Sequence, residues 1–196
     1  MFVLYAVVAG LLLGLLVGGR LSGLGRLEFE WAPLIALGMV IQIALFSDPV
    51  AAGIGAAGPP IYVGSSLLVL AAVCRNWSMR GLPIVALGAA SNLVAIIVNG
   101  GYMPASAAAL AAQGRDAPAV YSNSSYVAEP VLGPLTDIFA MPTWIPLANV
   151  FSIGDVLIGV GVALTIIVAM RRGAGRRGSR TEGPREAALQ NGASRN

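Results

Sequence analysis

Five long apolar stretches, four of them without a charged side chain, decide most of what this chain can become. A hydrocarbon core of ~30 Å needs about 20 helical residues at 1.5 Å each, fewer where flanking groups snorkel. The stretches are residues 2–19, 31–47, 61–74, 82–98 and 151–170. The third is preceded by Pro59-Pro60, which marks a helix start near Ile61. Counted only from Val156, the fifth would span about 22 Å, so it is extended back to Phe151 and takes in Asp155. The sequence therefore predicts an all-α fold: a polytopic transmembrane bundle of five helices in one domain over residues 1–170, with a long outer loop at 99–150. Composition agrees. Of 196 residues, 57% are hydrophobic and 11% charged, with a mean hydropathy of +0.79, against about a quarter charged in soluble domains.

Arginine placement sets the orientation. Arg20 and Arg26 fall in the first connection, Arg75 and Arg80 in the third, and seven more lie from Arg171 onward, leaving only Arg115 in the fourth. The positive-inside rule makes the crowded side cytoplasmic, so the N-terminus is outside and the C-terminus inside. Trp31 and Trp77 then lie near the inner interface, and Tyr62 and Trp144 near the outer one. Met1 runs into Phe2 without a basic n-region, so a cleavable signal is not expected. The segment 171–196, rich in Arg, Gly and Ser without hydrophobic periodicity, reads as a disordered basic cytoplasmic tail. It fixes topology, and Arg171, Arg172, Arg176 and Arg177 can also meet anionic lipid head groups at ~1 kcal/mol each. The net charge of +3 comes from this tail and does not point to nucleic acid.

The inventory removes chemistry. There is no His, no Lys and a single Cys. That excludes Ser-His-Asp and Cys-His catalysis and the usual catalytic zinc sites. It also excludes Schiff-base lysines, intrachain disulfides and iron–sulfur clusters. No cofactor or metal is expected.

Polar residues in the spans gain meaning when placed by depth. Following the alternating helix directions, Gln42, Ser65, Ser66, Asn92, Asn99 and Asp155 share a layer in the outer half of the bilayer. A carboxylate in hydrocarbon costs ~2.5–3.5 kcal/mol even on insertion scales, so Asp155 should face inward and find donors. Two uses are open to it. It can cap its own helix, since Ser152 and Asp155 have capping-box spacing, while the amides tie helices together. Alternatively, the layer is an outward-facing polar pocket for a small ligand or cation. Asp137 and Glu129 in the outer loop are acids that could join it, and both read as solvated loop charges.

Gly10, Gly14 and Gly18 repeat every four residues, which allows close helix approach within the chain or in a homo-oligomer. Gly53-Ile-Gly55-Ala-Ala-Gly58 matches a dinucleotide fingerprint by letter only, since no strand precedes it and no acid follows at the required distance. An aspartyl-protease dyad needs two carboxylates, and only Asp155 lies in a span. In the outer loop, Ser106–Gln113 followed by Gly114 predicts a short helix. The proline-broken 133–147 segment predicts a re-entrant or surface-lying lid over the polar layer.

Asn99-Gly-Gly-Tyr-Met-Pro104, Leu135-Thr-Asp-Ile138 and Phe151-Ser-Ile-Gly-Asp-Val-Leu157, with Gly18-Gly-Arg20 and Leu21-Ser22 after the first helix, resemble a family of bacterial multi-pass membrane proteins classed as a domain of unknown function. The resemblance runs from Met1 to about Met170. It implies an integral membrane fold in a bacterial plasma membrane and no established activity. Members often carry a basic residue and a histidine around the outer loop, where this chain has Tyr102 and the Tyr121–Tyr126 stretch. The expected role is a non-enzymatic accessory or scaffold component with an outward-facing polar pocket. The alternative is a small secondary transporter or permease using Asp155 as coupling carboxylate.

Overall fold

The computed structural model describes residues 2–114, 125–127 and 129–193, and there the protein is mostly helical. In chain order come α1 (Phe2–Leu16), a 3-10 turn (Leu21–Arg26), α2 (Ala32–Leu45), the short α3 (Asp48–Ala51), α4 (Gly58–Arg75), α5 (Leu82–Val98), α6 (Ala107–Ala112) and α7 (Ile153–Ala193). The strands are two residues each: β1 (Pro104–Ala105) pairs in parallel with β2 (Ser125–Tyr126), and β3 (Phe139–Ala140) pairs antiparallel with β4 (Val150–Phe151).

Local sequence explains the boundaries. Proline occupies the first turn of α2, α4 and α5, where its fixed φ suits a helix start and its missing N–H costs nothing. The first helix stops at Leu16, short of the expected residue 19, because the chain turns at Gly18 with φ +79°. The last begins at Ile153, two residues later than expected. Phe151 is held in β4 opposite Phe139, its ring stacked 5.3 Å from that partner's. At its other end α7 passes Met170 and runs on to Ala193, through a segment expected to be unstructured. Arg, Ala, Glu, Leu and Gln, which supply much of that segment, are strong helix formers.

Two helical segments are long and apolar enough to cross a membrane, Gly55–Arg75 and Ile153–Gly173. Only 22% and 33% of their most apolar windows are buried within the protein, so most of that surface faces outward. Helices α1, α2 and α5 are also apolar but shorter, at 15, 14 and 17 residues.

Spatial neighbours follow the order α1–α7–α5–α4–α2. Small residues make these seams. A Cβ on Gly10 would lie 2.9 Å from Ala163 Cα, and one on Gly14 would meet Met170. Gly159 faces Phe2 and Ala6, so α1 runs parallel to α7. The α1 glycine spacing thus serves a seam within the chain at Gly10 and Gly14, while Gly18 has open space around it. Gly88 faces Gly154, and Gly81 faces Gly161, which makes α5 and α7 antiparallel. Helix α4 is antiparallel to α5: Tyr62 and Val63 pack near Ile96, while Val73 packs near Leu82. It is antiparallel to α2 as well, with Gly38 against Val69 and Asn76 bonded to Glu30. Directions therefore alternate along the sequence, with α1, α4 and α7 pointing one way and α2 and α5 the other. One consequence is that Arg20, Arg26, Arg75, Arg80, Arg171 and Arg172 all gather at one end. The described residues between Asn99 and Val150 lie at the other.

Candidate functional site

The site is built around the start of α7. Ser152, fully buried, accepts a hydrogen bond on Oγ from the Asp155 backbone N–H at 3.1 Å. Asp155 Oδ2 in return accepts from the Ser152 backbone N–H at 3.1 Å. This reciprocal box satisfies two of the donors a helix start leaves open, and the positive end of the helix dipole favours the carboxylate there. The second carboxylate oxygen, Oδ1, accepts from Asn92 Nδ2 on α5 at 2.9 Å. Ser152 Oγ donates to Asn92 Oδ1 at 2.8 Å, which closes the ring of three side chains. Asp155 thus caps α7 and also lines a cavity.

That cavity, of about 430 Å³, lies at the end opposite those six arginines. Its polar lining comes from Asn92, Asp137, Asn149, Asp155 and Tyr62, and its apolar walls include Phe2, Ile96 and Met103. Among the described residues, no basic side chain lines it. Asp137 is the main surprise. The sequence reads it as a solvated loop charge, yet it is 4% exposed and lines the same cavity as Asp155. The backbone explains the difference. Its N–H donates to Pro104 O at 2.9 Å and its C=O accepts from Ser106 N–H at 3.1 Å, so residue 137 extends the β1 ladder inward. Glu129 remains exposed in the loop.

Described parts of the 99–150 loop are tied down at this end by hydrogen bonds. Met141 N–H donates to Asn149 O at 3.1 Å, the Gln113 amide donates to Met141 O, and the Tyr5 hydroxyl on α1 donates to Pro146 O. Phe2 stacks on Phe151 at 4.7 Å, tying the first helix to β4. The short helix predicted at Ser106–Gln113 forms as α6, capped by Ser106 Oγ accepting from Ala109 N–H at 3.1 Å.

The other residues of the expected polar layer do other work. Gln42 Nε2 donates to Ser66 Oγ at 3.2 Å, which ties α2 to α4 away from the cavity. Ser65 is buried and donates to Tyr62 O one turn back at 2.9 Å. Asn99 holds the outer loop: its Nδ2 donates to Ala95 O at 2.7 Å and Val131 O at 2.9 Å, while its Oδ1 accepts from Val131 N–H at 2.9 Å. The depth argument thus places Asn92 and Asp155 together and misses Asp137, Asn149 and Tyr62. The Tyr62 ring sits edge-on to Phe46 at 4.9 Å. Residues 121–124 of the tyrosine stretch lie outside the described residues, as do the side chains of Arg176 and Arg177. Among the described residues, no group of three or more His, Cys, Asp or Glu comes together. The carboxylates of Asp137 and Asp155 are therefore the acidic groups that an occupant of the cavity would meet.

Residues 26–167 match a family of unknown function, DUF5317. The match spans well over half of the chain, and the protein belongs to that family. It covers α2 to most of the apolar part of α7 and leaves out α1 and the Gly18-Gly-Arg20 turn, which the sequence resemblance had included. No curated protein and no solved structure matches the chain.

Proposed function

We propose that this family member is an integral protein of a bacterial plasma membrane, crossing it five times with its N-terminus outside and its C-terminus in the cytoplasm. In this reading it is a non-enzymatic accessory component whose outward-facing pocket binds a small cationic solute. Support for the crossings comes from the alternation of helix directions and from the gathering of six arginines at one end, which the positive-inside rule makes cytoplasmic. Exposed apolar side chains such as Leu12 and Leu16 on α1, and Val40 and Ile43 on α2, would face lipid. The shorter helices, about 21–26 Å by their residue counts, need a locally thinned bilayer or snorkelling arginines at their ends.

The observation that carries the pocket is that Asp137 and Asp155 line one cavity with two amides and a tyrosine, and that none of its described lining residues is basic. A cavity of that size suits a small organic ammonium ion or a partly hydrated metal cation, with Phe2 and Tyr62 offering ring surface to it. The test is binding of tetramethylammonium, ethylammonium and sodium to the purified full-length protein, read by thermal melting at constant ionic strength. At least one should raise the melting temperature in the wild type and fail to do so in Asp137→Asn. If all three leave the wild type unmoved, the pocket has another role.

A second reading, transport, draws support from Asp155 lying in the α5–α7 seam while also reaching the cavity. Proteoliposomes separate the two. Under transport, cation or proton flux is present and Asp155→Asn abolishes it. Under the accessory role, flux is absent in both proteins.

A further inference from the structure

At the end opposite Asp155, three arginines from three separate elements border one small cavity of about 80 Å³. Arg26 closes the 3-10 turn after α1, Arg80 lies in the turn between α4 and α5, and Arg172 follows Met170 on α7. Gly23, Thr165 and Gly173 line the same space, and among the described residues no carboxylate does. Among the described residues the ion pair at this end is Arg75 with Glu30, and none of the three cavity arginines takes part in it.

The backbone beneath these side chains is tightly held. Thr165 Oγ1 donates to Arg80 O at 3.1 Å and to Gly161 O at 2.8 Å, which fixes the Arg80 turn to α7. Arg20 N–H donates to Met170 O at 2.9 Å. A Cβ on Gly23 would lie 2.2 Å from Ala169 O, so the turn carrying Arg26 sits directly on α7. Three cations are thus gathered on a hydrogen-bonded floor with no acid among the described cavity-lining residues, an arrangement whose mutual repulsion an anion would relieve. Guanidinium forks match the geometry of phosphate oxygens and bind them bidentately. The space suits a single phosphate group and is too small for a nucleotide.

We propose that Arg26, Arg80 and Arg172 form a phosphate-binding site, whose occupant is a phosphate oxyanion supplied by a phospholipid head group or by free phosphate. Basic pockets between transmembrane helices on the cytoplasmic side take lipid head groups in this way. The site is independent of the cation pocket and stands or falls separately from it.

The test uses delipidated full-length protein in dodecyl maltoside, a detergent without phosphate. Isothermal calorimetry follows two titrations at an ionic strength fixed with chloride, one with inorganic phosphate and one with dihexanoyl phosphatidylglycerol. Saturable binding of at least one is expected, weakened roughly tenfold or more in Arg26→Gln and in Arg80→Gln, because each removes a charged bidentate donor. Arg75→Gln, whose guanidinium is already engaged by Glu30, should bind as the wild type does. Binding of inorganic phosphate that the lipid does not exceed identifies the free ion as occupant. Lipid binding that is much tighter, with phosphate only competing, identifies the head group. Lack of saturable binding of either ligand by the wild type overturns the proposal, whatever the variants do. Equal binding by wild type, Arg26→Gln and Arg80→Gln overturns it too. If a glutamine variant fails to fold, Arg80→Lys, which keeps the charge and loses the fork, should bind with intermediate strength.

Discussion

The Asn92 amide on α5 lies 2.9 Å from Asp155 Oδ1 on α7, and its carbonyl oxygen accepts from Ser152 Oγ at 2.8 Å. One side chain thus uses both ends of its amide on a single helix terminus. Asn92→Leu would leave a carboxylate oxygen and a hydroxyl in the seam without that partner, at a cost of ~1–3 kcal/mol. Thermal or SDS-titration unfolding of the purified protein measures it. A midpoint equal to the wild type's would mean that water takes over the amide's place.

Ser152→Ala removes one half of the reciprocal box and should cost about 1 kcal/mol, the usual value of a lost N-cap. Because Asp155 answers the same serine, Ser152→Ala and Asp155→Ala should be non-additive, with a coupling of ~0.5–3 kcal/mol in a double-mutant cycle. Strict additivity would show that the two residues act separately.

The α5–α7 seam depends on glycine for a steric reason. A Cβ at Gly88 would come 2.4 Å from Gly154 O and 2.9 Å from Ile158 N, and backbone atoms cannot step aside cheaply. Gly88→Ala should therefore lower the yield and melting temperature of folded protein. Gly64, on the exposed side of α4, has nothing within 4 Å of the same added atom. There Gly→Ala should be neutral or stabilise by roughly 0.5–1 kcal/mol through helix propensity. Equal effects at the two positions would refute a close-packed seam.

Orientation can be read with the protein's own thiol. Cys74 is exposed and lies beside Arg75 at the arginine-rich end. In intact cells a membrane-impermeant maleimide should leave it unlabelled and should reach it after permeabilisation. Trp144 is 81% exposed in the opposite loop, so Trp144→Cys in a Cys74→Ser background should label in intact cells. The reverse pattern would invert the proposed topology.

How much the sequence disclosed depended on the range of the forces involved. Helix positions follow from apolar runs, prolines and caps, all local, and α5 spans the residues expected of it. The pairing of Asn92 with Asp155 was within reach because alternating directions put both at one depth. Asp137 was not. Its burial comes from the backbone pairing of residue 137 with Pro104 and Ser106, more than thirty positions earlier, which no local pattern announces. Gln42 and the two serines sit at the α2–α4 seam and Asn99 ties down the 99–150 loop, since position along the bundle says nothing about azimuth around it.

The position of α7 between α1 and α5 has a consequence for biosynthesis. Synthesis proceeds in one direction, yet α1 has its principal seam with α7, which is made more than a hundred residues later. Until α7 leaves the ribosome, α1 must wait without that partner, its glycine face uncovered, while α2, α4 and α5 can already pair. Any message truncated before residue 151 would leave the opening helix stranded, and quality-control proteases would meet it first.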